Sequence, residues 1–122
     1  MNSVINVKGQ RSLELRRQEY VPGALSLICF NDDDSQQWSI RFSGVLEYRR
    51  ISYDHSFRTH LAKVRDPIAT LTNSELLSIY SERHPSGIRD DILHYVIFMY
   101  DDVFEVLAKT IEFDPCEPRT DC

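Results

Sequence analysis

For most of its length this chain alternates apolar and polar residues with the two-residue period of strands. SLELRR, residues 12–17, sets Leu13 and Leu15 against Glu14 and Arg16, as a half-exposed strand does. Tyr20-Val21-Pro22-Gly23 is a turn signal, because proline presets φ and glycine accepts positive φ. ALSLICF, 24–30, is apolar on both faces, the pattern of a central strand. After the polar turn NDDDSQ, 31–36, comes the cleanest alternation, QWSIRFSG, 37–44. There Trp38, Ile40 and Phe42 point one way, and Ser39, Arg41 and Ser43 the other. Gly44 permits a bulge or bend before VLEYRRIS continues as strand, with Leu46 and Tyr48 on one face and Glu47 and Arg49 opposite. The first half reads as an antiparallel meander with one wet face.

The period changes in the middle. In DHSFRTHLAKVRD, 54–66, Phe57, Leu61 and Val64 recur at helical spacing in a short, basic segment. TNSELLSIYSERH, 72–84, predicts a helix: Thr72 and Glu75 have the spacing of a capping box, Leu76, Ile79 and Tyr80 form a stripe, and Pro85 and Gly87 stop it. DILHYVIFMY and VFEVLAKTIEF then read as two strands joined at Tyr100-Asp101-Asp102, since aspartate favours turns. In the second of these strands Glu105 and Lys109 face one way, with Leu107, and Phe104, Val106 and Ala108 face the other. The first is apolar at nearly every position and belongs mid-sheet or under the helix. The expectation is a single α+β domain over 1–122, with 1–10 and 114–122 frayed. It would have an antiparallel sheet of about five or six strands and one or two helices packed on one face.

Composition narrows the class. At 42% apolar and 27% charged residues the chain suits a folded domain and not a disordered one. No apolar run approaches the roughly 20 residues of a membrane helix. The start MNSVINVKGQ has no signal-peptide h-region, and three cysteines make no even disulfide framework; both point to the cytoplasm. Cys29 reads as a small buried hydrophobe, Cys116 and Cys122 as exposed tail thiols. The net charge of −5 is uneven: residues 90–122 hold nine acids against Lys109 and Arg119, whereas residues 1–89 sum to +2. Such a field does not neutralise phosphates, which argues against nucleic acid as partner, and it attracts a basic surface.

Catalytic vocabulary is sparse. His55 and His60 lie five apart, His84 sits at a helix end, and His94 lies within an apolar strand; none makes a metal-binding spacing. G-x-S-x-G and glycine-rich phosphate loops are missing, and Cys29 has apolar neighbours that would raise its pKa. The carboxylate runs Asp32-Asp33-Asp34, Asp90-Asp91 and Asp101-Asp102 read first as solvated turn charges. Tyr48-Arg49-Arg50 and Tyr53, with Arg41 and Arg58, could stack single-stranded nucleic acid, but Glu47 and Asp54 dilute that field. The residues alone indicate no catalytic set, no metal and no cofactor.

Trp38-Ser-Ile-Arg-Phe-Ser-Gly-Val-Leu-Glu-Tyr-Arg, followed later by His94-Tyr-Val-Ile-Phe and Asp101-Asp102-Val-Phe-Glu-Val-Leu-Ala, resembles the layout of small bacterial immunity proteins of polymorphic toxin systems. The resemblance spans about residues 12–113 and rests on strand patterning. It implies a cytoplasmic, acidic α+β domain that catalyses nothing and binds a cognate toxin with a basic surface, as monomer or homodimer. Asp32, Asp33 and Asp34 in one turn and Asp101, Asp102 and Glu105 at the last hairpin are the candidate contacts, from charge and expected exposure. Two alternatives stand beside it: a structural or adaptor homodimer, and a small ligand-binding module or enzyme in which His55, His60 or His94 meets carboxylates in three dimensions.

Overall fold

The computed structural model describes residues 5, 7–71, 74–84 and 91–116. The α+β class and the antiparallel pairing are as expected. The strands, however, number eight among the described residues and divide between two four-stranded sheets. Sheet 1 has the order β1 (Leu13–Val21), β2 (Ala24–Asn31), β3 (Gln36–Ser43), β8 (Thr110–Cys116). Sheet 2 has the order β4 (Glu47–Ser52), β7 (Asp102–Ala108), β6 (Leu93–Phe98), β5 (Ile68–Leu71).

Two chain segments run through both sheets, which is why a single sheet is not formed. Residues 36–52 pass from β3 into β4, and residues 102–116 pass from β7 into β8. The two segments pair antiparallel throughout, Ser43 opposite Thr110 in sheet 1 and Glu47 opposite Leu107 in sheet 2. They bend side by side. Gly44 has φ of +66°, and the Lys109 amide donates to the Ser43 carbonyl at 3.0 Å. A Cβ on Gly44 would lie 2.7 Å from the Lys109 side chain, so the corner excludes a side chain both by conformation and by space. VFEVLAKTIEF is therefore two strands hinged at Lys109. Pairing with β3 also draws Asp114–Cys116, expected frayed, into β8.

Parity then assigns the faces. Leu25, Leu27 and Cys29 of β2 and Trp38, Ile40 and Phe42 of β3 pack against Tyr95, Ile97, Phe104 and Val106 of sheet 2 in one core. Phe104, Val106 and Ala108 lie in this core, as their alternation predicted, and the central position expected for β2 is what the strand order gives. Leu46 departs from its expected partner Tyr48. It follows the Gly44 bend and packs with Leu107 on the far side of sheet 2, while Tyr48 stays against the core.

That far side is covered by the helical segments. Residues 54–66, read as helical by spacing alone, form a short helix α1 (Tyr53–Ser56) and a 3-10 turn (His60–Lys63). Leu61 of the turn packs on Val96, Phe98 and Val103. Helix α2 (Glu75–Arg83) sets Leu76, with Leu77 and Tyr80, against Leu107 and Ile92. Its cap is Ser74, whose Oγ accepts from the Leu77 amide at 3.0 Å. The predicted capping box fails because Glu75 is already the first helical residue; Thr72, Pro85 and Gly87 lie outside the described residues. Ile79, expected in the buried stripe, is exposed at the edge of the cavity that Leu76 also lines.

Cys29 is the core residue expected, its thiol pushed up to about 12 by burial. Cys116 is not an exposed thiol: it is buried and disulfide-bonded. Disulfides persist in oxidising compartments, which removes the support that cysteine usage lent to a cytoplasmic location. No described helix is long and apolar enough to cross a membrane.

Replacing Gly44 with alanine is expected to cost roughly 1–3 kcal/mol, because an L-residue must then hold positive φ against Lys109. Urea unfolding of Gly44→Ala measures this, and an unchanged midpoint would show that the corner does not constrain the fold.

Candidate functional site

The outer face of sheet 2 carries two apolar patches, one under the 3-10 turn and one under α2. Polar side chains occupy the middle of the same face. Glu105 sits opposite Arg49 on β4 and Val96 on β6, so an arginine and a glutamate form one row across the strands. His94, opposite Leu107, is the diagonal neighbour of Glu105 on that face. The fourth member, His60, comes from above. Thr59 caps its turn, accepting from the Leu61 amide at 3.1 Å and donating to the Ser56 carbonyl at 2.8 Å. Leu61 anchors the turn in the apolar patch, and His60 reaches down to the sheet.

The geometry converges on one oxygen. His60 Nε2 and His94 Nε2 each lie 3.0 Å from Glu105 Oε1. The other oxygen, Oε2, accepts from Arg49 Nε. On its outer side His60 places Nδ1 3.6 Å from Glu75 Oε2, at the start of α2. Glu105 and His94 are fully buried, and His60 is about one-quarter exposed. The His94 contact is close without being a hydrogen bond: neither of its ring nitrogens is aligned with a partner. Buried imidazole nitrogens without partners are costly, about 1–3 kcal/mol each.

Burial alone would raise the Glu105 carboxyl. The close approach of His94 and the hydrogen bond and positive charge of Arg49 outweigh it, bringing the pKa down from 4.5 to about 2. The Arg49 interaction is the firmer part of that shift, since its donor is aligned and His94 is not. Glu105 is therefore an ionised carboxylate inside the protein.

Beside this group a cavity of ≈ 360 Å³ opens between the 3-10 turn and α2, lined by Arg49, Arg58, Thr59, His60, Glu75 and Leu76 among others. It gives His60 an open side. Two imidazoles and a carboxylate whose ligand atoms all lie within 4.8 Å of one another could hold a metal ion.

The acids named from the sequence fall into two groups. Glu105 was expected on an exposed hairpin and is instead buried, because the helical segments cover the outward face of β7. Asp32, Asp33, Asp34 and Asp101 are exposed, and Asp102 is partly covered and paired with Arg50 at 2.7 Å. The two acidic turns are each hydrogen-bonded to the start of β1. The Ser12 carbonyl accepts from the Asp32 amide at 2.9 Å, and the next carbonyl, Leu13, accepts from the Tyr100 amide at 2.7 Å. Arg11 lies over the Tyr100 ring, 4.1 Å from its centroid, and 3.9 Å from Asp101.

Of the histidines, His60 and His94 converge and the other two do not. His55 lines a separate, shallower pocket with Ser52, Asp54 and Arg58, and His84 caps α2 against Tyr80. The sequence left open that His55, His60 or His94 meets carboxylates, but it did not mark Glu105 as the acid that His60 and His94 meet. Its one visible signal was an acid flanked by Val103, Phe104, Val106 and Leu107, more apolar company than a solvated charge keeps.

Because the folded-state pKa of Glu105 is depressed, the stability it contributes is fully present above pH 4.5 and is lost as pH falls towards 2. The loss is on the order of 3 kcal/mol. Urea midpoints of chelator-treated protein between these pH values should fall steeply for the wild type and less for Glu105→Gln, which is also less stable at neutral pH. Equal slopes would show that Glu105 is not the titrating group. Compared with known protein families, characterised proteins and solved structures, the chain matches none.

Proposed function

We propose that the protein is a non-catalytic inhibitor that docks a basic protein partner on its acidic turns, in the manner of an immunity protein neutralising a cognate toxin. One observation carries this reading: Asp32, Asp33, Asp34 and Asp101 are exposed on two turns that both hydrogen-bond to the start of β1, one through the Ser12 carbonyl and one through the Leu13 carbonyl. Tyr100, beside Asp101 on the second of these turns, is half-exposed and braced by Arg11. Aromatic side chains ringed by charge are effective anchors, because the ring is desolvated in the complex while the charges guide the approach. Arg11 offsets part of the charge by facing Asp101, and the Lys8 backbone amide donates to Asp33. The rim is therefore held in a fixed geometry, which lowers the entropy lost on docking.

A second reading, a small ligand-binding module, is favoured by the His60–His94–Glu105 group and its adjoining cavity. The two readings use different surfaces.

The first is tested with the purified product of the gene adjacent to this one, the natural candidate for a cognate toxin. Its association rate should fall by about 10-fold or more between low and physiological salt. Asn replacements at Asp32, Asp33, Asp34 and Asp101 should slow association at low salt, and Tyr100→Ala should speed dissociation. A rate indifferent to salt and to these replacements, or no binding, would count against the proposal.

A further inference from the structure

We infer that His60 Nε2, His94 Nε2 and Glu105 Oε1 form a binding site for one divalent first-row transition metal ion, of which zinc is the representative probe. This site lies apart from the acidic turns and does not depend on the function proposed for them.

Spacing is the first argument. Around an ion bound at about 2.0–2.1 Å, neighbouring ligand atoms lie roughly 2.9–3.4 Å apart, depending on whether coordination is octahedral or tetrahedral. Both imidazole nitrogens stand 3.0 Å from Oε1, within that range. The third edge, between the imidazoles, is within 4.8 Å and closes by movement of His60, which sits on a turn beside a cavity.

His94 supplies the second argument, independent of the spacing. It is fully buried beside the shared oxygen, and neither ring nitrogen makes a hydrogen bond. A metal ion would take up the Nε2 lone pair, which no protein donor meets.

The surroundings fit a ligand set. A metal-bound imidazole or carboxylate is normally held by a second partner that fixes its orientation. Glu75 stands in that position behind His60 Nδ1, and Arg49 holds Glu105 through Oε2, leaving Oε1 for the ion. Two imidazoles with one carboxylate suit zinc, cobalt, nickel or ferrous iron better than magnesium or calcium, which take oxygen ligands. Three protein ligands leave coordination positions open, and the cavity beside His60 is the space into which they would face. Arg49 and Arg58 on its wall would favour an anionic molecule as the exchangeable ligand.

The test is calorimetric titration of chelator-treated, full-length protein with zinc chloride at neutral pH, alongside the visible absorption of the cobalt-loaded form. The wild type should bind one ion per chain, with a cobalt spectrum of nitrogen–oxygen coordination and a raised unfolding temperature. His60→Ala, on a half-exposed turn, should weaken binding by at least about 10-fold and abolish the cobalt spectrum. Glu75→Ala, whose side chain is two-thirds exposed and not needed for the fold, should weaken binding by up to about 10-fold even if His60→Ala misfolds. The double replacement His55→Ala with His84→Ala removes the remaining imidazoles and should leave binding intact. Failure of the wild type to bind, binding lost with His55 and His84, or binding unchanged in both His60→Ala and Glu75→Ala would overturn the assignment.

Discussion

The structure depends on a paired bend. Two long antiparallel segments turn together from one sheet into the other at Gly44 and Lys109, and the strands on either side inherit their faces from that corner. The bend requires a residue without a side chain, since Gly44 holds positive φ and Lys109 fills the space a Cβ would need. Its consequence is a closed apolar core. Phe42, Ile40 and Trp38 from one sheet meet Phe104, Val106 and Tyr95 from the other, and burial of that surface is the main stabilising term.

The same corner leaves sheet 2 with a second face to cover. Residues 53–64 and α2 each bring an apolar anchor, Leu61 and Leu76, and between them stands a group that cannot be covered by apolar side chains. Enclosing an ionised carboxylate is costly unless opposite charge and hydrogen bonds compensate. Arg49 compensates from the neighbouring strand, with the two imidazoles close by. Such networks are weak sources of stability relative to an apolar substitute, but removal of one partner typically costs 3–5 kcal/mol. This polar group lies beside a cavity and reaches solvent through His60 and Arg49.

Arg49 and Arg50 connect the buried polar group with Asp102 at the last hairpin. They are consecutive on β4 and so project to opposite faces of the sheet: Arg49 to Glu105, Arg50 to Asp102 and Gln18. Asp102 and the buried group are therefore both attached to β4.

Local pattern by itself determined a good deal of this protein. The alternation in QWSIRFSG, the Pro22-Gly23 turn, the nearly all-apolar β6, a helix within 72–84 and the inward parity of Phe104 and Val106 all follow from period and turn chemistry, which act over a few residues. What the sequence did not disclose are events between distant residues. Whether VFEVLAKTIEF is one strand or two depends on Lys109 lying beside Gly44, sixty-five positions earlier. Whether Glu105 faces water or a dry interior depends on the 3-10 turn being folded over it, and the meeting of His60 with His94 depends on both. A strand's period says which side a residue faces; only the packing of other elements on that side decides what it meets there.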